Sequence, residues 1–485
     1  MIKVKNEKTS WTICKECKGR GKKRRRIQKK AQLNYKIALN EFEKSKEKTT
    51  PPTRPKGQLY SCLKCTGSGL ISSNFPPVAN TKNFPHVAII GAGIGGVALA
   101  VACLHRGIPY TLYERDSSFN ARSQGYGLTL QQASKAIEGF GILHLKESVI
   151  STKHIVHTTN GEIIGEWGMR KWRQPNDKKN AKHTNIHIAR QALRLEMLAQ
   201  LGGHKAVQWN HKFINFKEYN KDVLLNFKVN GVLKSAKADL VVGADGIRST
   251  VKKLFFNKKN TPLRYLNCIV ILGICPLKDI PKTDSLLLDA ATVFQTANGN
   301  ERIYMMPYSS NTIMWQLSFP MLEEDAKILS KKGAKALKEE ACRRTQWHIP
   351  IPQILEATKE AQISGYPVYD SAPLTPQFFE TNTKTTLIGD AAHPMSPFKG
   401  QGANQALLDA LALAREITSG CRPLSEWRTT GIRKTVLTTF ELEMLKRSTK
   451  KVKDSAKAAV LLHSKIVLNK GNEPRGRDLN SKRLL

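Results

Sequence analysis

The sequence predicts an α/β protein organised around a nucleotide-binding sheet. Three observations support this fold class. A short apolar run ends in glycine and leads into a helical stretch, and a second strand-like run ends at an acidic residue. Later in the chain, two strand-to-loop segments each place aspartate close to glycine. Strands that alternate with helices are typical of a parallel sheet covered by helices on both faces.

The first glycine-rich segment follows the apolar run 87–90. Gly91 permits a tight turn, Gly93 lets the backbone approach a pyrophosphate, and Gly96 lets the next helix pack closely. The helix N-terminus then offers unpaired N–H groups to phosphate oxygens. The second strand ends at Glu114, whose carboxylate can accept both hydroxyls of an adenosine ribose. This order predicts a Rossmann-like dinucleotide-binding unit.

Residues 87–104 are also an unbroken run of apolar residues and glycine, which is just long enough to cross a membrane. Its glycines and its strand–turn–helix order favour the nucleotide-binding interpretation. The chain opens with charged and polar residues and lacks the apolar core of a secretory signal. We therefore expect a cytoplasmic protein without a transmembrane segment.

The N-terminal 82 residues contain one cysteine pattern twice. Cys14 and Cys17, and later Cys62 and Cys65, each stand in the order CxxCxGxG. Two CxxC turns can supply the four thiolates of a tetrahedral zinc site. A disulfide or a redox pair is the alternative, but no secretory signal supports a disulfide. The repeat resembles the cysteine-rich zinc region of DnaJ-type chaperones, which carries four copies and binds two metals, so two copies imply one zinc ion.

Between the two cysteine pairs, residues 22–48 form a basic stretch that predicts a largely helical arm, and residues 70–83 read as a linker. The formal net charge is +39, and the excess of lysine and arginine is densest before residue 86. A basic surface attracts nucleic acid or anionic lipid without specificity. The arm could contact a protein or a nucleic acid, although a charge run is more often a solvated face.

Two later segments resemble the signature of the p-hydroxybenzoate hydroxylase-type, or group A, flavoprotein monooxygenases. The first runs from residue 239 to 249 and contains Asp245, for which a helix N-cap is the alternative role. The second runs from residue 386 to 410. Its candidate cofactor-binding residues are Gly389, Asp390, Pro397, Gly400, Gly402 and Asn404.

The resemblance implies FAD as the cofactor. It places Asp245 near the pyrophosphate and Asp390 on the ribityl chain, and it gives His393 a local structural role. The tetracycline-degrading flavin monooxygenases look closest in motif, through segments that contain Arg115, Arg122 and Arg190. Two departures stand out: residue 408 is leucine where the family usually has an acid, and residue 399 is lysine in a loop that usually has a small residue.

The resulting fold class is α/β, with a Rossmann-like FAD-binding domain, a mixed-sheet substrate domain, C-terminal helices and a small N-terminal zinc module. We expect the zinc module over residues 1–82 and the FAD-binding monooxygenase domain over residues 83–430. The sheet that covers the substrate is expected at about 151–185 and 262–365. A helical region and basic tail are expected over residues 431–485.

The resemblance implies an enzyme that uses NAD(P)H and O2 to hydroxylate a small aromatic or conjugated substrate through a flavin C4a-hydroperoxide. The sequence identifies no catalytic side chain, because the cofactor carries the chemistry. Two alternatives remain: a flavin-containing binding or adaptor protein that acts through its zinc arm, and a related FAD oxidoreductase that is not a hydroxylase. The substrate and the choice between NADH and NADPH stay open.

Overall fold

The computed structural model describes residues 10–45, 50–55, 57–121, 125–168, 185–256, 262–283, 285–380, 383–421 and 426–476. Its strands are β1 (Ser10–Ile13), β2 (Lys22–Arg24), β3 (Leu59–Ser61), β4 (Leu70–Ser73), β5 (Val87–Ile90), β6 (Tyr110–Tyr113), β7 (Gly127–Leu130), β8 (Ser148–Ser151), β9 (Lys153–His157), β10 (Ile163–Trp167), β11 (Asn185–Ala189), β12 (Val207–Gln208), β13 (His211–Glu218), β14 (Val223–Val229), β15 (Val232–Ala238), β16 (Leu240–Gly243), β17 (Leu263–Pro276), β18 (Thr292–Ala297), β19 (Arg302–Ser309), β20 (Thr312–Pro320), β21 (Ile363–Ser371) and β22 (Thr385–Leu387).

The α-helices are α1 (Lys29–Lys44), α2 (Ile94–Leu104), α3 (Arg190–Gln200), α4 (Thr250–Phe255), α5 (Glu323–Lys331), α6 (Ala334–Arg344), α7 (Ile351–Ala357), α8 (Gly402–Gly420), α9 (Trp427–Thr430) and α10 (Thr438–Leu462). A π-helical segment, Arg433–Leu437, leads into α10. Within the ranges described above, no helix is long and apolar enough to span a membrane.

The expected parallel sheet is present. Five strands lie in the order β12-β6-β5-β16-β22, and every pairing between neighbours is parallel. The residues of β5, β16 and β22 are all buried, which explains why these strands are short apolar runs without alternation. Because parallel strands end at the same edge, the loops that follow β5, β6, β16 and β22 all leave the sheet together.

Helices α2 and α8 pack against each other on this sheet. Nine of the eleven α2 residues are buried, so the apolar run that follows the glycines is a core helix. A Cβ atom on Gly95 would lie 3.5 Å from Cβ of Ala406, so α2 lies close to α8 there. The two helices that begin at the carboxyl edge of the sheet are therefore in direct contact.

The expected mixed sheet contains seven strands in the order β10-β9-β18-β19-β20-β17-β21. Strands β9 and β18 are parallel, and the other neighbours are antiparallel. One face packs on α5, α6 and α7 around the fully buried Trp315, whose indole N–H donates to Oγ1 of Thr358 at 2.9 Å. A Cβ on Gly273 would lie 2.2 Å from that indole, so only glycine fits on the neighbouring strand.

The Asn230-Gly231 pair forms the expected tight turn between β14 and β15. Both residues have positive φ angles, +50° and +88°, as the favoured two-residue hairpin turns require. The strands β13, β14 and β15 form a separate antiparallel sheet. A single residue separates the end of β15 from the start of β16, so this sheet leads directly into the parallel one.

The N-terminal module consists of two small antiparallel sheets, β1-β4 and β2-β3. The expected linker begins later than residue 70, because Leu70 is buried and pairs with Ile13 in the first sheet. The basic arm begins with β2, and its helix α1 has no buried residue. The end of the arm at residues 46–48 lies outside the described residues.

Candidate functional site

The glycine turn after β5 is built as the sequence predicts. Gly91 has a φ of +103°, and a Cβ atom there would lie 2.6 Å from the carbonyl oxygen of Ala244. At Gly96, a Cβ would lie 1.8 Å from the carbonyl oxygen of Gly91. Gly93 is the N-cap of α2, and the nearest atom to a Cβ there is Nη2 of Arg190 at 3.8 Å. The space in front of α2 is therefore open to a phosphate group.

Glu114 lies at the end of β6, as expected, and is buried. Its Oε2 accepts the N–H of Ala92 at 2.7 Å and its Oε1 accepts the N–H of Asp116 at 3.1 Å. The carboxylate therefore holds the glycine turn in place. Sequence reasoning missed Arg194, whose Nε donates to the carbonyl of Ala92 at 2.7 Å and whose side chain is buried beside this turn.

Arg190 follows β11 and begins α3. Its guanidinium lies near Gly93, over the ring of Tyr126 at 6.0 Å, and close enough to Asp390 for the two charges to interact. It thus connects the first glycine turn to the loop after β22. Arg115 is exposed, and Arg122 lies outside the described residues.

Asp245 lies beside the first glycine turn but binds its own chain. A Cβ on Gly91 would be 2.9 Å from the Cα of Asp245. The carboxylate accepts the N–H groups of Thr250 at 2.7 Å and Val251 at 3.1 Å, and the hydroxyl of Ser249. Burial raises its pKa above the ordinary value, against these hydrogen bonds. These bonds tie Asp245 to the first turn of α4, whose N-cap residue is Ser249, and contact between Asp245 and the cofactor stays a prediction.

The loop after β22 is held by Asp409, a residue of α8 that is completely buried. One carboxylate oxygen accepts the N–H of Gly389 at 2.9 Å and contacts Nε2 of His393 at 2.7 Å, while the other accepts from Nη2 of Arg447 at 2.9 Å. Burial acts to raise the pKa of Asp409, but His393, Arg447 and these hydrogen bonds outweigh it and hold the pKa at about 2. Sequence reasoning did not assign Asp409 a role.

Asp390 follows Gly389 and faces the cavity described below. The residue is exposed to the cavity, but desolvation by the surrounding protein raises the pKa of this carboxyl above its ordinary value, against the lowering effects of His393 and Arg190. One of its oxygens lies 3.5 Å from the position a Cβ would occupy on Gly402. Asp390 therefore lies next to the start of α8, whose N-terminal dipole favours a negative group.

Asn404 is buried and makes four hydrogen bonds to protein. It accepts the N–H groups of Gln131 and Ala133 and donates to the carbonyls of Thr129 and Gly400, at 2.8–3.1 Å. All its ordinary hydrogen-bonding capacity is used within the chain. In the structure it joins α8 to β7 and positions the loop that precedes the helix.

A cavity of about 1160 Å³ separates the loop after β22 from the mixed sheet. Asp390, Pro397, Gly400 and Gly402 line one side. The other side is the second face of the mixed sheet, where the lining apolar residues include Leu272, Val293, Met306, Met314 and Val368. Lys399 also lines the cavity, but its Nζ points to the carbonyl of Arg475 at 3.5 Å.

The four N-terminal cysteines converge, and all are buried. Every Sγ atom lies within 4.8 Å of the others, and two pairs are 4.0 Å and 3.6 Å apart. Zinc–thiolate bonds of ~2.3 Å in a tetrahedron require sulfur atoms ~3.8 Å apart. The backbone N–H groups of Gly21 and Gly69 donate to Sγ of Cys17 and Cys65 at 3.2 Å and 3.3 Å. These donors stabilise thiolates, so the four residues fit a zinc ion.

Residues 85–423 match the family model described as FAD binding domain. The chain is 28% identical over 330 residues to the aurachin C monooxygenase/isomerase of Stigmatella aurantiaca, covering 68% of this chain and 79% of the relative. It is 24% identical over 341 residues to the 6-hydroxynicotinate 3-monooxygenase of Pseudomonas fluorescens, covering 68% and 82%.

Among solved structures, the Klebsiella pneumoniae HpxO complexed with FAD and uric acid has a TM-score of 0.65 at 20% identity, covering 79% of this chain and 90% of that one. Tetracycline destructase Tet(51) has a TM-score of 0.56 at 19% identity, covering 79% and 94%. The chain belongs to the FAD binding domain family. It is an oxidoreductase of the FAD-dependent monooxygenase class, and the expected fold and the expected binding of FAD are confirmed.

Substituting Asp409→Asn should destabilise the protein by about 3 kcal/mol, because it leaves Arg447 and His393 without their buried counter-charge. Thermal unfolding and the fraction of FAD retained on a desalting column measure the effect. The control is Glu443→Gln, the same chemical change on an exposed acid 3.9 Å from Arg447, which should cost less than about 1 kcal/mol. Equal unfolding midpoints for the two variants would contradict the assigned role of Asp409.

Proposed function

We propose that the protein uses NAD(P)H and O2 to hydroxylate a small aromatic or conjugated substrate. The single observation that supports this most is the cavity between the loop after β22 and the apolar face of the mixed sheet. FAD, when bound, would supply the redox chemistry that hydride transfer from NAD(P)H and oxygen activation require. The side chains of this chain hold the cofactor, orient the substrate and exclude water.

Different parts of the site are assigned to different parts of the cofactor. We propose that the open N-terminus of α2, with Arg190 beside it, binds the pyrophosphate, and that Asp390 binds the ribityl chain. The N-terminus of α8 at Gly402 favours negative charge at the pyrimidine end of the flavin. Asp409 acts indirectly, because it holds the loop that carries Asp390.

The cavity also suggests the chemical class of the substrate. Arg302 lines it with only 5% of its surface exposed, and the described residues offer it no carboxylate partner. Its Nε donates to Oε1 of Gln295 at 2.7 Å, and its guanidinium lies over the ring of Tyr304 at 4.9 Å. An unpaired buried charge is costly, so a site that keeps one is suited to a ligand of opposite charge.

A second polar group faces the same space. Gln316 on the neighbouring strand β20 lines the cavity, and its buried side-chain nitrogen has no hydrogen-bond partner in the part of the chain described here. A planar ring packed on Leu272 and Met314 would bring an acidic substituent to Arg302 and an acceptor to Gln316. We therefore propose an aromatic substrate with an anionic group, such as a carboxylate or an ionised hydroxyl.

We further propose one zinc ion on Cys14, Cys17, Cys62 and Cys65, supported by the sulfur geometry above. A cytoplasmic location suits a reduced thiolate site of this kind and the use of NAD(P)H. The helix α1 has no buried residue, and it exposes Leu33 and Ile37. We propose this arm for contact with a protein or a nucleic acid.

The monooxygenase proposal predicts that an aromatic acid accelerates NAD(P)H oxidation and yields a product heavier by one oxygen atom. Purified FAD-loaded protein is assayed with hydroxybenzoates and hydroxyquinolines, recording NAD(P)H loss, oxygen uptake and product mass in parallel. Incorporation of label from ¹⁸O2 identifies the source of the added atom. FAD-loaded protein that oxidises NAD(P)H at one slow rate with every compound would favour an adaptor or a simple oxidase instead.

The substrate-class proposal predicts that Arg302→Met raises KM for a carboxylate substrate by about 10–100-fold, since a charge-assisted hydrogen bond is lost. The primary amide of the same substrate is the matched control, and its KM should change by less than about threefold. Flavin absorbance and the unfolding midpoint check that the variant is folded. An equal loss for acid and amide would show that Arg302 shapes the cavity without recognising charge.

The zinc proposal predicts one zinc ion per chain by elemental analysis, and its loss in the double variant Cys14→Ser/Cys62→Ser, because two of the four ligands are gone. The control is Cys342→Ser, which removes a thiol that lies in α6 of the other domain. Zinc that persists undiminished in the double variant would locate the metal elsewhere.

A further inference from the structure

Two arginines of the FAD-binding domain point at the cysteine cluster. Arg106 follows α2 by two residues, and Arg415 lies in the last two turns of α8. Nη2 of Arg106 donates to the carbonyl of Gly19 at 3.3 Å, and Nη2 of Arg415 donates to the carbonyl of Ser68 at 3.3 Å. Each acceptor lies in the loop after the second cysteine of one CxxC pair, so each cysteine pair receives one arginine.

Neither arginine has an ordinary counter-ion. Arg106 is 3% exposed, and Arg415 is partly buried. The Nε atoms of both are buried without a hydrogen-bond partner, and neither side chain forms an ion pair within the described ranges. The acid that acts on Arg415, Glu443, is mostly exposed and is beyond ion-pair distance of it. Two partly unsatisfied cations are thus held where burial limits their contact with solvent.

A zinc ion bound by four thiolates supplies the missing charge. Its two positive charges and the four negative sulfurs sum to −2, and Arg106 and Arg415 together carry +2. Cys17 is the ligand that acts electrostatically on both arginines, and Cys65 also acts on Arg415. With zinc bound, the four thiolates, the metal and the two arginines would together carry no net charge at the boundary between the module and the FAD-binding domain.

Arg106 lies just beyond the end of α2 and Arg415 lies near the end of α8, the two helices whose N-termini face the proposed cofactor site. Gly93 is the N-cap of α2, Gly402 begins α8, and the helices pack on each other along their length. Two further contacts hold the same boundary: Nη2 of Arg20 donates to the hydroxyl of Ser419 at 2.6 Å, and the indole of Trp11 lies against Gly141. The module thus covers the far ends of both helices.

We infer that the zinc–thiolate centre is the counter-ion of Arg106 and Arg415, and that zinc binding and FAD binding are therefore thermodynamically linked. This inference rests on the zinc site proposed above and not on the identity of the substrate. Loss of the metal leaves two buried arginines without their negative partner and loosens the ends of α2 and α8. By linkage, FAD must strengthen zinc retention by the same factor by which zinc strengthens FAD binding.

The first arm of the test removes zinc from the full-length holoprotein. A chelator is added under reducing conditions, zinc release is followed with a metallochromic dye, and FAD binding is followed by flavin fluorescence. Zinc removal should weaken FAD binding on the order of tenfold and lower the unfolding midpoint, and FAD-loaded protein should release zinc more slowly than FAD-free protein. Unchanged FAD affinity and unchanged unfolding after complete zinc release would overturn the inference.

The second arm separates charge from simple attachment. The double variant Arg106→Met/Arg415→Met keeps apolar length but removes the two cations. With zinc bound, it should hold the metal less tightly than the wild type. Zinc removal should then change the free energy of FAD binding to this variant by less than half of the change seen in the wild type. The control is Arg24→Met, which changes an exposed arginine of the same module whose Nη1 donates to the carbonyl of Gly57, and it should behave as the wild type.

The outcomes distinguish the two levels of the proposal. If the purified protein contains no zinc, the proposed metal site is contradicted. If the protein contains zinc, and zinc changes FAD affinity equally in the wild type and in the double arginine variant, the electrostatic link is contradicted. The metal site is then still supported. If the zinc-free protein precipitates, the folded double variant is compared with the wild type for its retention of zinc and FAD. Equal retention in the two proteins overturns the inference.

Discussion

The hydrogen-bond ladder of the parallel sheet is the constraint on which the site depends. Strand β16 pairs in parallel with β5 on one side and with β22 on the other. Segments that are about 150 residues apart in the chain therefore end at one edge, and the loops at Gly91, Asp245 and Gly389 meet there. A register slip of β16 would move its glycine end away from Gly91, whose space is limited by the carbonyl of Ala244. Sheet pairing thus decides whether three separate motifs form one site.

Much of this could be predicted from the sequence, because the relevant patterns are local. Glycines that need positive φ angles, apolar runs without alternation and the Asn230-Gly231 turn each report the conformation of a few neighbouring residues. The resemblance to known flavoproteins supplied the identity of the cofactor. The two cysteine pairs also met as expected, since the repeated spacing already implied one shared site.

The partners of buried charges could not be predicted in this way. Asp409 lies 20 residues beyond Gly389 and 38 residues before Arg447, and nothing in those intervals indicates that the three will meet. The same holds for Arg302, whose guanidinium bonds to Gln295 and forms no ion pair with the acids that the structure describes. The motif that contains Asp245 was clear from the sequence, yet the hydrogen bonds that Asp245 accepts from the first N–H groups of α4 are visible only in three dimensions. Sequence patterns therefore do not show which charged residues, distant in the chain, come into contact in the fold.

The buried arginines give the strongly basic composition a specific meaning. A formal charge of +39 gives the protein a diffuse positive field. Arg302, Arg106 and Arg415 differ because burial removes the water that would otherwise stabilise them. Among the described residues none of the three forms an ion pair with a carboxylate, and each faces a place where an anionic group is expected: a substrate for Arg302, and a metal–thiolate centre for Arg106 and Arg415. The folding cost of keeping these cations buried is therefore offset only when the anion is present, so occupancy of each site and stability of the fold should change together.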